Sequence, residues 1–312
     1  MSAPSSPEAL RGLTLIAFAA ISWGTTGAVT TLLVDRAAAT PLVIGAVRMV
    51  IAAALLIVAA RVLTDARAGS ATDRWRCLAA GVCNAGFQAA YFTSVTLTGI
   101  AIAALIAICS APILIAALAA LVLGERPSPR LVVSLALGVG GTTLLVVGPR
   151  AADGRPPQFA AGVALALLAG LAYALYVVVA KAAVARMAPL SVAAWTFAAA
   201  AVVMAPALLH EGVLRQLELG WPWLFYLGAV TTAGAYAVYT IGLRHVPAAA
   251  AGVAALMEPL TATLLGVAVF GERLGLEGWL GAVLLLAAFA LVALPGRTVS
   301  VRAARSGGSP RD

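Results

Sequence analysis

Residues 254–274 read AALMEPLTATLLGVAVFGERL, a run fit for the centre of a lipid bilayer except for Glu258, which stands directly before Pro259. A charge at mid-bilayer costs roughly 3 kcal/mol on insertion scales, so such a residue faces a cavity or carries a proton. The rest of the chain matches the run. Of its 312 residues 62% are hydrophobic and only 10% are charged, and the mean hydropathy is +1.03. These values lie outside the range of soluble domains and identify an integral membrane protein. The apolar runs are about 20 residues long and lack the alternation of barrel strands, so they are read as helices.

Runs bounded by charges, Pro or Gly fall at 13–33, 42–62, 76–97, 100–123, 131–149, 159–180, 190–209, 222–243, 247–270 and 275–294, which gives ten expected spans. The first follows Arg11 but runs through Val34, too long for a signal-peptide core. With the N-terminus in the cytoplasm, fourteen Arg and Lys residues fall inside and five outside, with Arg48 left within span 2. The positive-inside rule then places both termini in the cytoplasm. The net charge of +8 is therefore topology rather than a nucleic-acid surface. Nineteen Arg against one Lys, with abundant Ala, point to a GC-rich bacterium and hence a cytoplasmic (inner) membrane.

An internal repeat organises the spans. Pro112 is followed after eleven residues by Gly124-Glu125-Arg126, and Pro259 after eleven residues by Gly271-Glu272-Arg273. All four positions share an offset of 147, and an offset of 148 pairs Pro41 with Pro189. Five spans per copy is an odd number, so the second copy enters the membrane upside down. The expected fold is an all-α integral membrane protein of ten transmembrane helices in two inverted five-helix repeats, an arrangement typical of transporters. The expected units are a cytoplasmic tail at 1–11, a first repeat at 12–149, an external linker at 150–158, a second repeat at 159–294 and a disorder-prone cytoplasmic tail at 295–312.

The ten spans, the duplicated P-x11-GER, the SWGTTGAVT segment of span 1 and EPLTATLLGVAVFGER near the end resemble the EamA-type branch of the drug/metabolite transporter superfamily. The resemblance covers roughly residues 12–293. It implies a secondary carrier of small metabolites, including amino acids and related amphipathic compounds, with a cavity between the halves and export as the expected direction. The copies differ where Ala111-Pro112 stands in place of Glu258-Pro259, so one half alone supplies that carboxylate.

Glu258 lies about eleven residues into span 9 and is the one acidic residue placed deep within a span; the five Asp are assigned to loops or tails. It fits a proton-coupling site, an anchor for a substrate ammonium group, or a neutral Glu bonded to carbonyls freed by Pro259. Pro112 and Pro259 should kink their helices at related positions and are candidate hinges. Asn84, Gln88 and Tyr91 share one face of span 3. With Trp23, Tyr236 and Glu258 they form the candidate substrate-binding set. Ser22, Thr26, Tyr173, Thr232 and Thr261 are further lining candidates. Trp75, Trp221, Trp223 and Trp279 fall at span ends as an interfacial belt, and Tyr176 and Tyr239 are assigned to the same belt. Arg48, about six residues or roughly 9 Å into span 2, is expected to snorkel outward. The GER turns are read as helix ends.

Neither His210 nor His245 lies mid-span. Cys77, Cys83 and Cys109 show no zinc or redox spacing and are read as small apolar filler. No cofactor and no metal are expected. The expected partners are a small-molecule substrate and the lipid bilayer, with protons as a candidate coupling ion, no nucleic acid and an open oligomeric state. An intramembrane enzyme would need clustered carboxylates, histidines or an HExxH pattern, which this sequence lacks. A facilitative pore differs from a carrier only in coupling, and a G-x4-GK[ST] loop for ATP is absent.

Overall fold

Long apolar runs satisfy their backbone in lipid only as helices, and the computed structural model, which describes residues 7–64, 69–146, 158–209, 211–270 and 275–294, contains no strand among them. The helices are α1 (Pro7–Gly24), α2 (Thr26–Ala37), α3 (Pro41–Leu63), α4 (Ala71–Thr98), α5 (Ile100–Val122), α6 (Pro129–Val146) and α7 (Phe159–Val184). They continue as α8 (Pro189–Met204) with a 3-10 turn at Ala205–Leu209, α9 (Val213–Gly228), a π-helical segment at Ala229–Gly234, α10 (Ala235–His245), α11 (Ala248–Ala255), α12 (Met257–Phe270) and α13 (Leu276–Ala293). Eight helical stretches are long and apolar enough to cross a membrane. The expected spans 3 and 5 correspond to α4, which carries Asn84, Gln88 and a charged first turn, and to the shorter α6.

Local chemistry sets the ends. Pro41 and Pro189 occupy the first positions of α3 and α8, where a missing N–H removes no helical bond. The Ser70 hydroxyl accepts from Asp73 N at 3.2 Å and donates to its carboxylate at 2.7 Å. This cap starts α4 at Ala71, five residues before the apolar run. Gly99 at φ +84 separates α4 from α5, and Gly124 at φ +68 stops α5, the latter as the first GER predicted; the second, at 271–273, lies outside the described residues. Pro7 and Glu8 begin α1, so the helix extends into the stretch expected as an N-terminal tail. Asp35 and Asp73 sit in helix ends, not in loops: Asp35 is exposed, and the buried Asp73 carboxylate is held by Ser70 and by Arg76 at 2.9 Å.

The main packing partners are α4 with α7 and α8, α5 with α7 and α11, α6 with α13, α3 with α8 and α9, and α1 with α10, α11 and α12. Small residues bring backbones together at several crossings, as lipid-embedded helices require. A methyl group on Gly281 would lie 2.6 Å from the Gly141 carbonyl oxygen, and one on Gly242 2.6 Å from that of Gly12. Gly162 of α7 meets Leu97 and Thr98 at the end of α4, and Gly170 meets Ala107 and Ser110 of α5. Large apolar side chains such as Phe18, Val58, Leu121 and Val202 stand on the outer surface, which suits a lipid solvent. Trp75, Trp221 and Trp279 are exposed, and the Arg36 guanidinium lies 5.6 Å over the Trp223 ring. Among the described residues the three thiols are unpaired.

Gly281→Val should force α6 and α13 apart and destabilise the protein by about 1–3 kcal/mol, read as a lower unfolding temperature in detergent. Gly86→Ala, at an exposed helical position where a methyl meets nothing within 4 Å, should be neutral or slightly stabilising.

Candidate functional site

Three irregularities interrupt the helices, and they meet at the centre. The first is Thr25, between α1 and α2, whose hydroxyl donates to Ser22 O at 2.8 Å and pairs with the Tyr226 hydroxyl at 2.9 Å. The second is Leu256, which ends α11 one turn before Pro259. A kink was expected here; the regular winding is broken by a single turn residue, Leu256, which keeps right-handed torsions (φ −67, ψ −3), and Pro259 falls in the first turn of α12, where its lack of an N–H is harmless. Glu258 thereby enters that first turn, where the helix dipole favours a carboxylate. Pro112, by contrast, sits inside a continuous α5. The two interruptions touch: a methyl on Gly24 would lie 2.8 Å from Glu258 O and 2.5 Å from Thr261 Cβ.

The third irregularity is the π segment. Its wider winding frees the carbonyl of Leu227 to accept from both Thr231 (2.9 Å) and Thr232 (2.7 Å). The Thr232 hydroxyl in turn accepts from Arg48 Nε at 3.1 Å. Arg48 is 5% exposed, which corrects the expectation that it snorkels to the surface. A donor-rich guanidinium at that depth is held by a buried acceptor supplied from another helix.

Aromatic rings join five helices around these points. Tyr236 of α10 lies 4.8 Å from Trp23, 4.7 Å from Phe197, 6.0 Å from Tyr176 and 6.2 Å from Tyr239, centroid to centroid. Tyr173 extends the chain to Tyr176 at 5.8 Å and to Phe87 at 5.4 Å, and Phe87 reaches Tyr91 at 5.8 Å. Tyr176 and Tyr239 are fully buried and so belong to this cluster rather than to an interfacial belt; their distance from a helix end misled the sequence reading. Glu258 lies within electrostatic range of Arg48, Tyr91, Tyr173 and Tyr236.

Trp23, Tyr91, Tyr236 and Glu258 are thus brought together. Asn84 and Gln88 are buried on the same α4 face, with no described ring or hydrogen-bond contact to that group. Among the described residues Trp23 Nε1, Ser22 Oγ, Thr26 Oγ1 and both amide atoms of Asn84 have no protein partner. Unpartnered buried donors and acceptors are costly, at about 1–3 kcal/mol each. No hydrogen bond or ion pair engages the Glu258 carboxylate among the described residues, so the reading in which it bonds to freed carbonyls finds no such contact. Sequence reasoning missed Phe87 and Phe197, which carry no local signal, and Arg48, for which a second in-span charge at Glu258 was the available clue.

One end of the bundle is tied separately. Glu125 of the first GER accepts from Ala248 N at 3.0 Å, and Lys181 Nζ donates to Leu243 O at 2.8 Å and Arg244 O at 3.3 Å. The turn is therefore more than a helix end: it holds the connection between α10 and α11.

Thr232→Val should leave a buried guanidinium short of its acceptor and lower stability by about 1.5–3 kcal/mol, while Thr232→Ser should recover most of it. Thermal unfolding of both purified variants checks this.

The description "EamA-like transporter family" matches residues 10–147 and again 160–294. The chain is 35% identical over 301 residues to an uncharacterized transporter of Bacillus subtilis, YwfM, covering 93% of this chain and 96% of that protein. It is 30% identical over 199 residues to an uncharacterized transporter of Archaeoglobus fulgidus, covering 64% and 69%. A solved crystal structure superposes with a TM-score of 0.74 at 23% identity, over 89% of this chain and 95% of its own; at that identity the likeness concerns the fold alone.

Proposed function

The chain belongs to the EamA-like transporter family, and from that premise we propose that this multi-pass membrane transporter moves small metabolites, amino acids or related amphipathic compounds, out across a bacterial cytoplasmic membrane by alternating access. The proposal includes ten crossings in two inverted five-helix halves, both termini in the cytoplasm, and Glu258 as the group that binds a proton or a substrate ammonium. Trp23, Asn84, Gln88, Tyr91 and Tyr236 complete its substrate-binding set, and Pro112 and Pro259 are its hinge positions.

The observation that carries the reading is the meeting of interrupted helices, unpartnered polar atoms and one carboxylate with no hydrogen-bond or ion-pair partner among the described residues, at a contact between the two matched segments. The packing supports duplication. Exchanging the halves maps the α4–α7 contact onto α1–α10 and the α5–α7 contact onto α1 with α11 and α12. It leaves α3–α8, α6–α13 and α5–α11 in place. Five spans per copy then favours inversion, which lets a single site open alternately to either side.

Reconstitution into liposomes with a panel of amino acids and amphipathic amines, with and without a pH gradient, tests transport and coupling together. Saturable flux that accelerates with the gradient is expected; flux that neither saturates nor responds would indicate a pore. Glu258→Gln should fold normally yet lose at least tenfold in transport, or lose its dependence on pH. Near-normal uptake by this variant at every pH would remove Glu258 from the mechanism. For orientation, cysteines introduced beside Arg67 and Arg150 should be labelled from the cytoplasmic and external faces respectively; labelling near Arg67 from outside intact cells would reverse the topology.

A further inference from the structure

Arg48 and Glu258 come from helices 210 positions apart in sequence and lie within electrostatic range of each other and of Tyr236. Opposite charges in a low-dielectric interior attract strongly and ordinarily close to direct contact. Here they do not: no ion pair joins them, which keeps every N–O separation above 4.0 Å. Each is fixed from behind instead. Thr232, set by the π segment, takes Arg48 Nε and leaves the terminal amino groups of the guanidinium without a protein partner among the described residues. The close approach of Gly24 to Glu258 O pins the start of α12. Beside the two charges stands Tyr236, whose ring packs on that of Trp23, and Trp23 Nε1 is unpartnered.

We infer that Arg48 and Glu258 form a two-ended clamp for a zwitterion, which rests on the transporter reading above for its choice of site. The anionic group of the ligand takes the free amino groups of Arg48, its ammonium group takes the Glu258 carboxylate, and its apolar or aromatic body lies against Trp23 and Tyr236. Charge balance selects this class. The site carries one positive and one negative group, so a zwitterion pairs both and leaves the region neutral. A ligand with a single charge leaves one buried ion unpaired and adds net charge to a low-dielectric interior, a heavily disfavoured state. Arg48, previously assigned outside the site, becomes a specificity-determining residue.

Three ligands that share one body separate the terms: L-phenylalanine, phenethylamine and 3-phenylpropionate, alongside the corresponding leucine set for an aliphatic body. Binding to the purified full chain is read by ligand-induced thermal stabilisation across a concentration series. In wild type the zwitterion of at least one set should bind on the order of a hundredfold or more tighter than its amine and its acid. Arg48→Gln should abolish or reverse the preference for zwitterion over amine, and Glu258→Gln should do the same for zwitterion over acid. A single-charge ligand that binds wild type as tightly as its zwitterion, or no response to either zwitterion, overturns the clamp. If either variant fails to fold, the wild-type comparison alone decides. Transport fails separately: liposomes that move no member of a wide metabolite panel while the charge pattern of binding holds would overturn the carrier reading and leave the clamp standing.

Discussion

Lipid offers no hydrogen bonds, and that constraint governs where this chain is allowed to be irregular. Outward-facing helical surface is built from residues such as Phe18, Val58 and Leu121, while the interruptions at Thr25, Leu256 and the π segment are covered by other helices. At two of these interruptions exposed backbone finds a side-chain partner: Ser22 O takes the Thr25 hydroxyl, and Leu227 O takes two threonines. The same economy applies to charge. Arg48 is tolerable inside because Thr232 reaches it, and Thr232 is in position because the helix is locally overwide.

The duplication provides symmetry of fold, and the site departs from it. Where Glu258 and Pro259 open α12, Ala111 and Pro112 continue an unbroken α5. Span 1 is divided at Thr25, whereas its counterpart α7 runs without interruption from Phe159 to Val184. The breaks lie in different copies but at the same contact between them, α1 with α11 and α12, while the equivalent α7–α5 contact has none, and Gly24 packs closely against Glu258 O.

Much of this was legible in the sequence because hydropathy, proline and turn glycine act locally. The helices, the stop at Gly124, and Trp23 and Glu258 as interior residues follow from neighbours within a few positions. What was not legible depends on distant partners. Counting residues from a helix end made Arg48 a snorkelling side chain and put Tyr176 and Tyr239 at the interface, because depth along one helix says nothing of what surrounds it. Arg48 is explained by a threonine 184 positions away. The π segment, AVTTAG, has no proline to announce it. The break in span 9 was half visible: Pro259 marked the place but not that regular winding would break before it.

The glycine crossings divide the molecule along lines other than the duplication. Gly12 and Gly24 fasten α1 to α10 and α12, and Gly162 and Gly170 fasten α7 to α4 and α5, with no side chain of their own between the backbones. Such seams have no soft layer to shear. The stiff units are therefore mixed blocks, each made of the opening helix of one copy and the third and fourth spans of the other. A rocking motion that parts the rings of Trp23 and Tyr236 from those of Tyr173 and Phe87 would move block against block, so that neither copy of the repeat would travel as a whole.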